Sequence, residues 1–380
     1  MTAAACERSA SWPERAAVVA IFLANGLGIG AWAACIPALK ARLVLSDGAL
    51  GVVLFAFAVG AVVAMQLAAR LTRRLGPANA TRAATLMFAA TLPLPAFAPD
   101  VATLAAATFA MGAANGLLDV TMNGYAGGLE RRWGAAIMSS FHAAWSGGGL
   151  VGAPVGGALV GFGAPWALGV AAALVAALAA LVWTSLREAD AAPATAEIGL
   201  APPFRAALPL CVAALLCMGC EGAMADWTGV YLAETARAPQ AMASIGFAAF
   251  SATMVFGRLL GDNAVRAWGR ARVVGWGAIL AAAGLTLAVV DPRLAPATLG
   301  FALVGVGLSN VVPTLFSAAA GLASVPAAGV AVVATAGYAG LLSGPVVIGA
   351  IAESASLRLG LAFLILCVGV AAMAARSLRA

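Results

Sequence analysis

Residues 115–149 read NGLLDVTMNGYAGGLERRWGAAIMSSFHAAWSGGG and place polar groups at regular intervals in an apolar background. Asn115, Asp119 and Asn123 recur every four residues, so on an α-helix they form one polar stripe. A carboxylate that faces hydrocarbon costs several kcal/mol. The stripe therefore predicts a helix that turns this side toward a protein interior or a water-filled cavity.

A short charged turn follows the stripe and leads into a second apolar helix. The turn contains Glu130, Arg131 and Arg132, and the second helix contains His142, the only histidine of the chain. We expect Glu130 and Arg131 to act at a gate near the membrane surface. Two interpretations of His142 stay open, a proton relay and a hydrogen-bonding partner that fixes the register of its helix.

The second helix continues with glycines at positions 148, 152 and 156 and with Pro154 between them. Small residues four apart let two helix backbones approach closely. We therefore expect Gly152 to lie in a packing seam that permits one helix to move against another.

The composition of the chain restricts its class. Of its 380 residues, 63% are hydrophobic and 9% are charged, and the mean hydropathy is +1.00. Soluble domains carry about 25% charged residues, so we expect an all-α polytopic membrane protein. The formal charge of +6 does not indicate nucleic-acid binding, because the arginines fall at helix ends rather than in a basic stripe with interleaved aromatics.

Twelve stretches are long and apolar enough to be spans, since a bilayer core needs roughly 20 apolar residues. The expected spans are 16–38, 47–69, 80–98, 101–126, 134–160, 164–186, 206–233, 239–261, 270–290, 295–318, 326–352 and 357–376. An even number places both termini on one side. With a cytoplasmic N-terminus, 16 of the 21 Lys and Arg residues lie inside, as the positive-inside rule requires.

The chain also indicates an internal duplication. Residues 187–204 are rich in Pro and acidic residues and predict a cytoplasmic linker between a six-helix bundle at 1–186 and a second at 205–380. Each half has a basic turn after its second span, ARLTRRLGPANATR at 69–82 and GRLLGDNAVRAWGRAR at 257–272. In transporters built from repeats, the substrate site forms where the repeats meet.

These features together resemble the major facilitator superfamily over nearly the whole chain. The loop signature of that family, Gly-x-Leu-x-Asp-Arg-x-Gly-Arg-Arg, is matched in the second turn by Gly257, Leu259, Asp262 and Gly269, and in the first turn by Leu71, Arg74 and Gly76. Arg73 stands where the first aspartate is expected. The resemblance implies two pseudo-symmetric six-helix bundles and a conformational role for Arg74 and Asp262.

Three further segments resemble the bacterial inner-membrane branch near the fucose permease. They are residues 122–153, CEGAMADWTGVYL at 220–232 and GVGLSNVVPTLFSAAAG at 305–321. The glycines and Pro154 of the fifth span also approximate the pattern of the superfamily's proton antiporters, with the proline displaced by one position. The resemblance implies a location in the bacterial inner membrane.

Three acidic residues lie within predicted spans, and a carboxyl group removed from water can bind a proton reversibly. Asp119 is either a substrate or proton site or a gate residue. Glu221 and Asp226 are five residues apart, about 140° around a helix, so we expect only one of them to face a cavity. We assign Glu221 to the cavity and Asp226, beside Trp227, to a gate or a contact between helices.

Two asparagines within spans complete the candidate set. Asn25 and Asn310 have no water to bond to unless they line a cavity or bond across helices. We expect Asn25, Asn115, Asn123 and Asn310 to contact the substrate or its coupling group. Tyr338 is interpreted as packing.

The sequence lacks the residues needed for a zinc site, a paired-cysteine site or a phosphate-binding loop. One histidine without an acidic cluster does not make a zinc site, Cys217 and Cys220 have no second pair, and no Walker-type phosphate loop occurs. We expect no cofactor, no metal and no enzymatic activity, and a monomer that interacts with lipid, protons and a small solute. The sequence thus predicts a secondary transporter working by alternating access, either a proton symporter of a small polar solute such as a sugar or a proton-driven exporter of an amphipathic compound.

Overall fold

The computed structural model describes residues 11–133, 137–188, 204–320, 322 and 326–374. These residues form α-helices joined by short turns, and no strand occurs among them. The helices of the first half are α1 (Trp12–Arg42), α2 (Asp47–Leu75), α3 (Pro77–Thr91), α4 (Val101–Trp133), α5 (Met138–Leu159) and α6 (Ala164–Leu181). The second half has α7 (Phe204–Glu234), α8 (Ile245–Trp268), α9 (Arg270–Val290), α10 (Leu294–Leu308), α11 (Val311–Ala320), α12 (Pro326–Ser354) and α13 (Leu357–Ala374).

Eleven segments of the described chain are long and apolar enough to cross a membrane. The predicted third span is shorter: α3 has 15 residues and is followed by a 3-10 turn at Leu94–Phe97. Together these two pieces cover the predicted 80–98 stretch. The all-helical, multi-pass fold expected from the sequence is confirmed.

The tenth span is not the continuous helix that the sequence predicted for 295–318. It is interrupted at Ser309 and Asn310, which separate α10 from α11. Pro313 follows the interruption and has no amide hydrogen to donate to the preceding turn. The Asn310 side chain instead donates from Nδ2 to the carbonyl oxygen of Gly257 on α8, at 2.8 Å. A side-chain contact with a neighbouring helix thus stabilises the break.

The two basic turns adopt the same backbone conformation. Gly76 joins α2 to α3 with φ 80° and ψ 160°, and Gly269 joins α8 to α9 with φ 79° and ψ 156°. A positive φ is accessible to glycine at little cost and disfavoured for other residues. The shared geometry explains why both turns contain glycine at this position.

Helix packing follows one pattern in both halves. In the first half α1 packs against α5, α2 against α4, and α3 against α4 and α6. In the second half α7 packs against α12, α8 against α10, and α9 against α10 and α13. Since α10 and α11 make one span, these are equivalent pairs. The halves meet where α2 contacts α12, α5 contacts α8 and α1 contacts α7.

The bundle has two ends, the Lys40 end and the Arg132 end. The Lys40 end holds the end of α1, the start of α2, the end of α7 and the end of α12. The Arg132 end holds the end of α4 and the α2–α3 turn. Most of the predicted 187–204 linker, residues 189–203, lies outside the described residues, so the domain boundaries stay a prediction.

Candidate functional site

A cavity of about 300 Å³ lies between the two halves and is lined by α1, α2, α4, α5, α7, α8 and α12. Large apolar side chains form much of its wall, among them Trp32, Phe57, Trp145, Phe247, Phe250 and Met254. Its polar and charged lining residues are Asn115, Asp119, Ser146, Glu221, Asp226, Ser251, Arg258 and Tyr338. Both halves therefore contribute charged groups to the cavity.

Two of the three residues in the polar stripe of α4 line the cavity, and the third does not. Asn115 and Asp119 line the cavity. Asn123 lies one turn further along and donates from Nδ2 to the Asp119 carboxylate at 3.1 Å and to its carbonyl oxygen at 2.8 Å. Asn123 therefore orients Asp119.

Asn25 also acts through its neighbours. It is buried in α1, donates to the side-chain oxygen of Asn115 at 2.8 Å and accepts from the indole nitrogen of Trp145 at 2.7 Å. These bonds join α1 to α4 and α5. Asn25 thus positions two cavity-lining side chains. Its amide has hydrogen-bond partners on two neighbouring helices and does not need water.

The two acids of α7 differ from expectation, because both Glu221 and Asp226 line the cavity. Gly222 and Ala225 line it too, so the cavity covers an arc of about 140° on this helix. The sequence argument assumed a narrower exposed face. Trp227, by contrast, is fully buried in the helix packing and does not line the cavity.

Arg258 is a central residue that the sequence reasoning missed as part of the site. Its guanidinium lies 3.6 Å from a carboxylate oxygen of Glu221 and donates to the hydroxyl of Ser146 at 3.1 Å. It therefore links α8 and α7 to α5 of the other half. The sequence feature that could have identified Arg258 is its position inside the predicted 239–261 span, since an arginine at membrane depth usually marks a functional site.

The charges of the cavity do not balance. Asp119, Glu221 and Asp226 face a single cation, Arg258, among the cavity-lining residues. Only Glu221 is close enough to Arg258 to form an ion pair. Within the described part of the chain, Asp226 has no hydrogen bond or ion pair through its carboxylate, and Asp119 bonds only to Asn123.

The Lys40 end contains an ion network around one buried cation, which the sequence did not indicate. Lys40, the only lysine of the chain, lies 2.6 Å from a carboxylate oxygen of Asp47 and 2.6 Å from one of Glu234. Glu353 on α12 accepts from the backbone nitrogen of Gly48 at 2.9 Å. These contacts join α1 and α2 to α7 and α12, so they hold the two halves together at this end.

At the Arg132 end, an ionic contact joins α1 to α4 within the first half. Glu14 on α1 accepts hydrogen bonds from Arg132 and, at 2.7 Å, from the Tyr125 hydroxyl. Glu130 accepts from the backbone nitrogen of Ile137 at 2.7 Å, next to the start of α5. The side chain of Arg131 lies outside the described residues. Glu130 thus stabilises the turn between α4 and α5.

The first basic turn is fastened to the end of α6. Arg82 donates to the carbonyl oxygens of Trp183 and Leu186, both at 2.6 Å, and Glu188 accepts from the backbone nitrogen of Asn79 at 2.8 Å. Arg74 lies exposed at the end of α2. The side chain of Asp262 in the second turn lies outside the described residues.

His142 and Asn310 do not line the central cavity. His142 is exposed, and its ring packs edge-to-face against Phe22 with centroids 5.5 Å apart. Asn310 lines a second cavity beside the α8–α9 turn, together with Arg266 and Arg270. Tyr338, interpreted from the sequence as packing, does line the central cavity.

The glycine seam of α5 faces α1. A Cβ atom added at Gly152 would overlap the carbonyl oxygen of Leu27, and one at Gly148 would overlap that of Leu23. Pro154 is exposed on the other side of α5. On the side of α5 that faces the second half, Gly149 lies against Phe247 of α8 and Gly157 lies against Ser244, the residue before α8. The seam thus holds the first half together.

Comparisons with known proteins agree with this architecture. The chain matches the model of the Major Facilitator Superfamily over residues 18–324. It is 37% identical over 365 residues to an uncharacterized MFS-type transporter of Yersinia pestis, covering 94% of each chain, and 34% identical over 361 residues to the membrane protein MosC of Rhizobium meliloti, covering 93% of this chain and 87% of that protein.

A solved structure has the same fold. The crystal structure of a mutant of the nucleoside transporter NupG superposes with a TM-score of 0.77 at 14% identity, covering 95% of this chain and 99% of that one. An enzymatic role does not fit a chain with these relatives, this helical architecture and a cavity between its two halves. The chain is a multi-pass membrane transporter that belongs to the Major Facilitator Superfamily.

Proposed function

We propose that this transporter moves a small solute across the bacterial inner membrane by alternating access, coupled to protons. One observation carries the proposal. The cavity between the halves contains carboxylates from α4 and α7 with few partners, while the Lys40 end is closed by ionic contacts. A solute in this cavity would have access from one side at a time.

Alternating access requires the halves 1–186 and 205–380 to move as units about the cavity, joined by the 187–204 linker. The positive-inside rule places the Arg132 end in the cytoplasm. With that orientation the conformation described here is closed to the periplasm. Both halves belong to one chain, so a monomer is sufficient for transport.

Glu221 is the proposed coupling residue because its partner crosses between the halves. Arg258 contacts Glu221 within the second half and Ser146 in the first. A proton taken up by Glu221 removes the charge that holds Arg258, and the contact with Ser146 is then weakened. Asp119 is the alternative, since it lines the same cavity without a cationic partner.

Two directions of transport have separate support. Symport of a small polar solute such as a sugar is supported by the resemblance to the fucose permease branch. Proton-driven export of an amphipathic compound is supported by the apolar wall of the cavity, which includes Trp32, Phe57 and Met254.

Reconstitution tests the proposal. A screen of purified protein against a solute library identifies ligands, since a ligand that binds the folded state raises its thermal stability. Each ligand is then offered to proteoliposomes with an imposed proton gradient. We expect solute accumulation that a protonophore abolishes, and the direction of the gradient that drives it separates symport from export. Accumulation that is indifferent to the protonophore would contradict proton coupling.

A further inference from the structure

We infer that the solute carries a carboxylate, which binds the guanidinium of Arg258 when Glu221 takes up a proton. The inference rests on the proposed function, because it names the class of solute that the same cavity accepts. It follows from the hydrogen bonds of Arg258, from its fixed charge and from the apolar residues beside it on α8.

The first step is the hydrogen bonding of Arg258. A guanidinium has five N–H donors. Within the described chain, that of Arg258 makes one hydrogen bond, from Nη1 to the Ser146 hydroxyl at 3.1 Å. Its Nη2 lies 3.6 Å from Oε2 of Glu221, beyond the usual hydrogen-bond length of about 3 Å. Arg258 therefore has more donors than these two neighbours satisfy.

Two atoms of this pair are buried without a hydrogen-bond partner among the described residues, Nε of Arg258 and Oε1 of Glu221. Buried polar atoms in proteins normally have partners. The side chains of Arg258 and Glu221 are 20% and 21% exposed, and both line the cavity. A solute in the cavity can therefore reach the pair and supply the acceptors that it lacks.

The second step is the charge. Each carboxyl group of the cavity can bind a proton, so the number of acids is not the number of negative charges. Arg258 keeps its positive charge, because a guanidinium does not lose its proton in proteins. When Glu221 is protonated, this cation has no compensating partner nearby, and an uncompensated charge away from bulk water is costly. An anionic solute restores the balance.

The proton and the solute then assist each other. A proton on Glu221 favours the anion on Arg258, and the anion favours the proton by the same factor. Of the neighbouring titratable groups only His142 can become a cation, and it does not line the cavity. The titratable groups around the pair are Asp119, Asp226, Tyr338, His142, Cys217 and Cys220.

The third step is the kind of anion. The two oxygens of a carboxylate match two parallel N–H groups of a guanidinium, which makes such pairs strong and specific. A carboxylate also brings one negative charge for the one positive charge of Arg258. A phosphate monoester carries between one and two charges near neutral pH and would leave part of its charge uncompensated. The cavity thus favours a monocarboxylate.

The fourth step is the wall next to Arg258. On α8 the cavity is lined by Phe247, Phe250, Met254 and Arg258, whose spacing of three and four residues places them on one face of the helix. Met254 is one turn from Arg258, about 6 Å along the axis. A carboxylate on Arg258 would therefore place its organic body against apolar side chains, within a cavity of about 300 Å³.

The test compares solutes that differ in charge and little else. Purified full-length protein is heated at pH 6 with each of two pairs, phenylacetate with phenylacetamide and hexanoate with hexanamide, and with phenylethylamine and phenylphosphonate. The nine tryptophans report unfolding. We expect the carboxylate of at least one pair to raise the melting temperature and to bind about tenfold more tightly than its amide. Equal binding by the amides, stronger binding of the amine or the phosphonate, or no stabilisation by either carboxylate would overturn the inference.

The dependence on pH tests the role of Glu221. Binding of the carboxylate should weaken from pH 6 to pH 8, because Glu221 loses its proton and again competes for Arg258. Glu221→Gln should bind the carboxylate at least as tightly as the wild type and without this dependence. A pH dependence that is unchanged in Glu221→Gln would overturn the link between the solute and this proton.

Variants of Arg258 locate the anion. Arg258→Met should remove the preference for the carboxylate, whereas Arg258→Lys, which keeps the charge without the planar fork, should keep the preference and bind several-fold more weakly. Arg293→Met is the matched control, because Arg293 is exposed and paired with Asp291 outside the cavity. Each variant is first checked for an unliganded melting transition. A preference that persists in Arg258→Met would place the anion elsewhere, and if that variant does not fold, unchanged affinity in Arg258→Lys would overturn the inference.

The two proposals fail in different ways. Gradient-driven flux with no preference for carboxylates would leave proton-coupled transport standing and reject the carboxylate. Carboxylate binding that requires Arg258, without flux under any proton gradient, would reject the coupling and leave the carboxylate standing.

Discussion

Glu221 and Arg258 show how much depends on single residues in this cavity. A buried ion pair adds little net stability, but removing one partner leaves an uncompensated charge. Arg258 has contacts in both halves, so a change in the charge of Glu221 alters a contact across the interface. This is the physical basis for assigning coupling to Glu221 rather than to an acid without a partner that contacts the other half.

Glu221→Gln fixes the neutral form of this side chain while it keeps its size and hydrogen-bonding ability. We expect exchange of solute between equal concentrations to survive, because exchange requires only that the loaded carrier reorients. Accumulation driven by a proton gradient should fall to the level seen without a gradient. Counterflow and gradient-driven flux in proteoliposomes across external pH 5.5 to 8 measure both.

Asp119→Asn is the matched comparison in the same assays. If Asp119 is a gate residue, exchange and accumulation fall together. Full gradient-driven accumulation with unchanged pH dependence in Glu221→Gln would show that Glu221 is not the coupling site, and Asp119 or Asp226 would take its place.

The sequence predicted where polar residues lie on their helices better than it predicted what they contact. The four-residue spacing of Asn115 and Asp119 correctly placed both on one face of α4. It could not show that Asn25 bonds to Asn115 and Trp145, since those contacts join three helices that are distant in the chain. The same limit hid Arg258, whose importance depends on its contacts with α5 and α7.

At the scale of elements, the seam between α1 and α5 sets how closely two helices approach. Gly152→Leu would place a branched side chain against the carbonyl oxygen of Leu27. Overpacking of this kind costs about 1–3 kcal/mol, so we expect impaired transport or one trapped conformer with normal membrane insertion. Gly169→Leu in α6 is the control, because a Cβ at that position has nothing within 4 Å. Wild-type transport in Gly152→Leu would mean that the seam tolerates bulk.

The second prediction at the scale of elements concerns the ion network at the Lys40 end. Lys40→Met leaves Asp47, Glu234 and Glu353 close together without their cation, so the like charges repel one another. We expect this end to open more often. A cysteine introduced at Ser244 should then react faster with a membrane-impermeant thiol reagent added to cells.

Arg293→Met provides the control for that labelling, since Arg293 is an exposed residue paired with Asp291 in a surface turn. Its loss should leave the labelling rate unchanged, because exposed ion pairs contribute little. Equal labelling in Lys40→Met and in the wild type would show that the ion network does not close this end.

Most helices could be predicted from the length of the apolar stretches and from the helix-breaking residues between them. The break in the tenth span could not be predicted in this way. Pro313 alone is compatible with a continuous or a bent helix. The bond from Asn310 to Gly257 decides between them, and it depends on how α8 lies beside α10. The local sequence pattern therefore predicted the tenth span, and a contact with another helix determined where that span is interrupted.

At the scale of the whole molecule, orientation decides which compartment each end faces. The arginine bias predicts that a reporter fused after Arg379 reads cytoplasmic and one inserted at 234–238 reads periplasmic. Paired alkaline phosphatase and fluorescent-protein fusions measure this. A periplasmic reading at the C-terminus would reverse every assignment of inside and outside.

The relation between the halves could be anticipated only in outline. The matching basic turns at 69–82 and 257–272 predicted a duplication, and both turns contain a glycine with nearly the same φ and ψ. The cavity between the halves could not be read from either copy alone. Its lining combines residues such as Asp119 and Tyr338, which more than 200 positions separate.

Alternating access is tested most directly by locking one end. In the double variant Gly157→Cys, Ser244→Cys, a Cβ at position 157 would lie 3.2 Å from that of residue 244, near the separation of about 3.8 Å found in disulfides. The single-cysteine variants are treated with the same oxidant as controls, because the native cysteines remain. Once oxidised, the double variant should bind solute with wild-type affinity, lose solute flux in proteoliposomes and regain it on reduction. Wild-type flux through fully cross-linked protein would contradict the account.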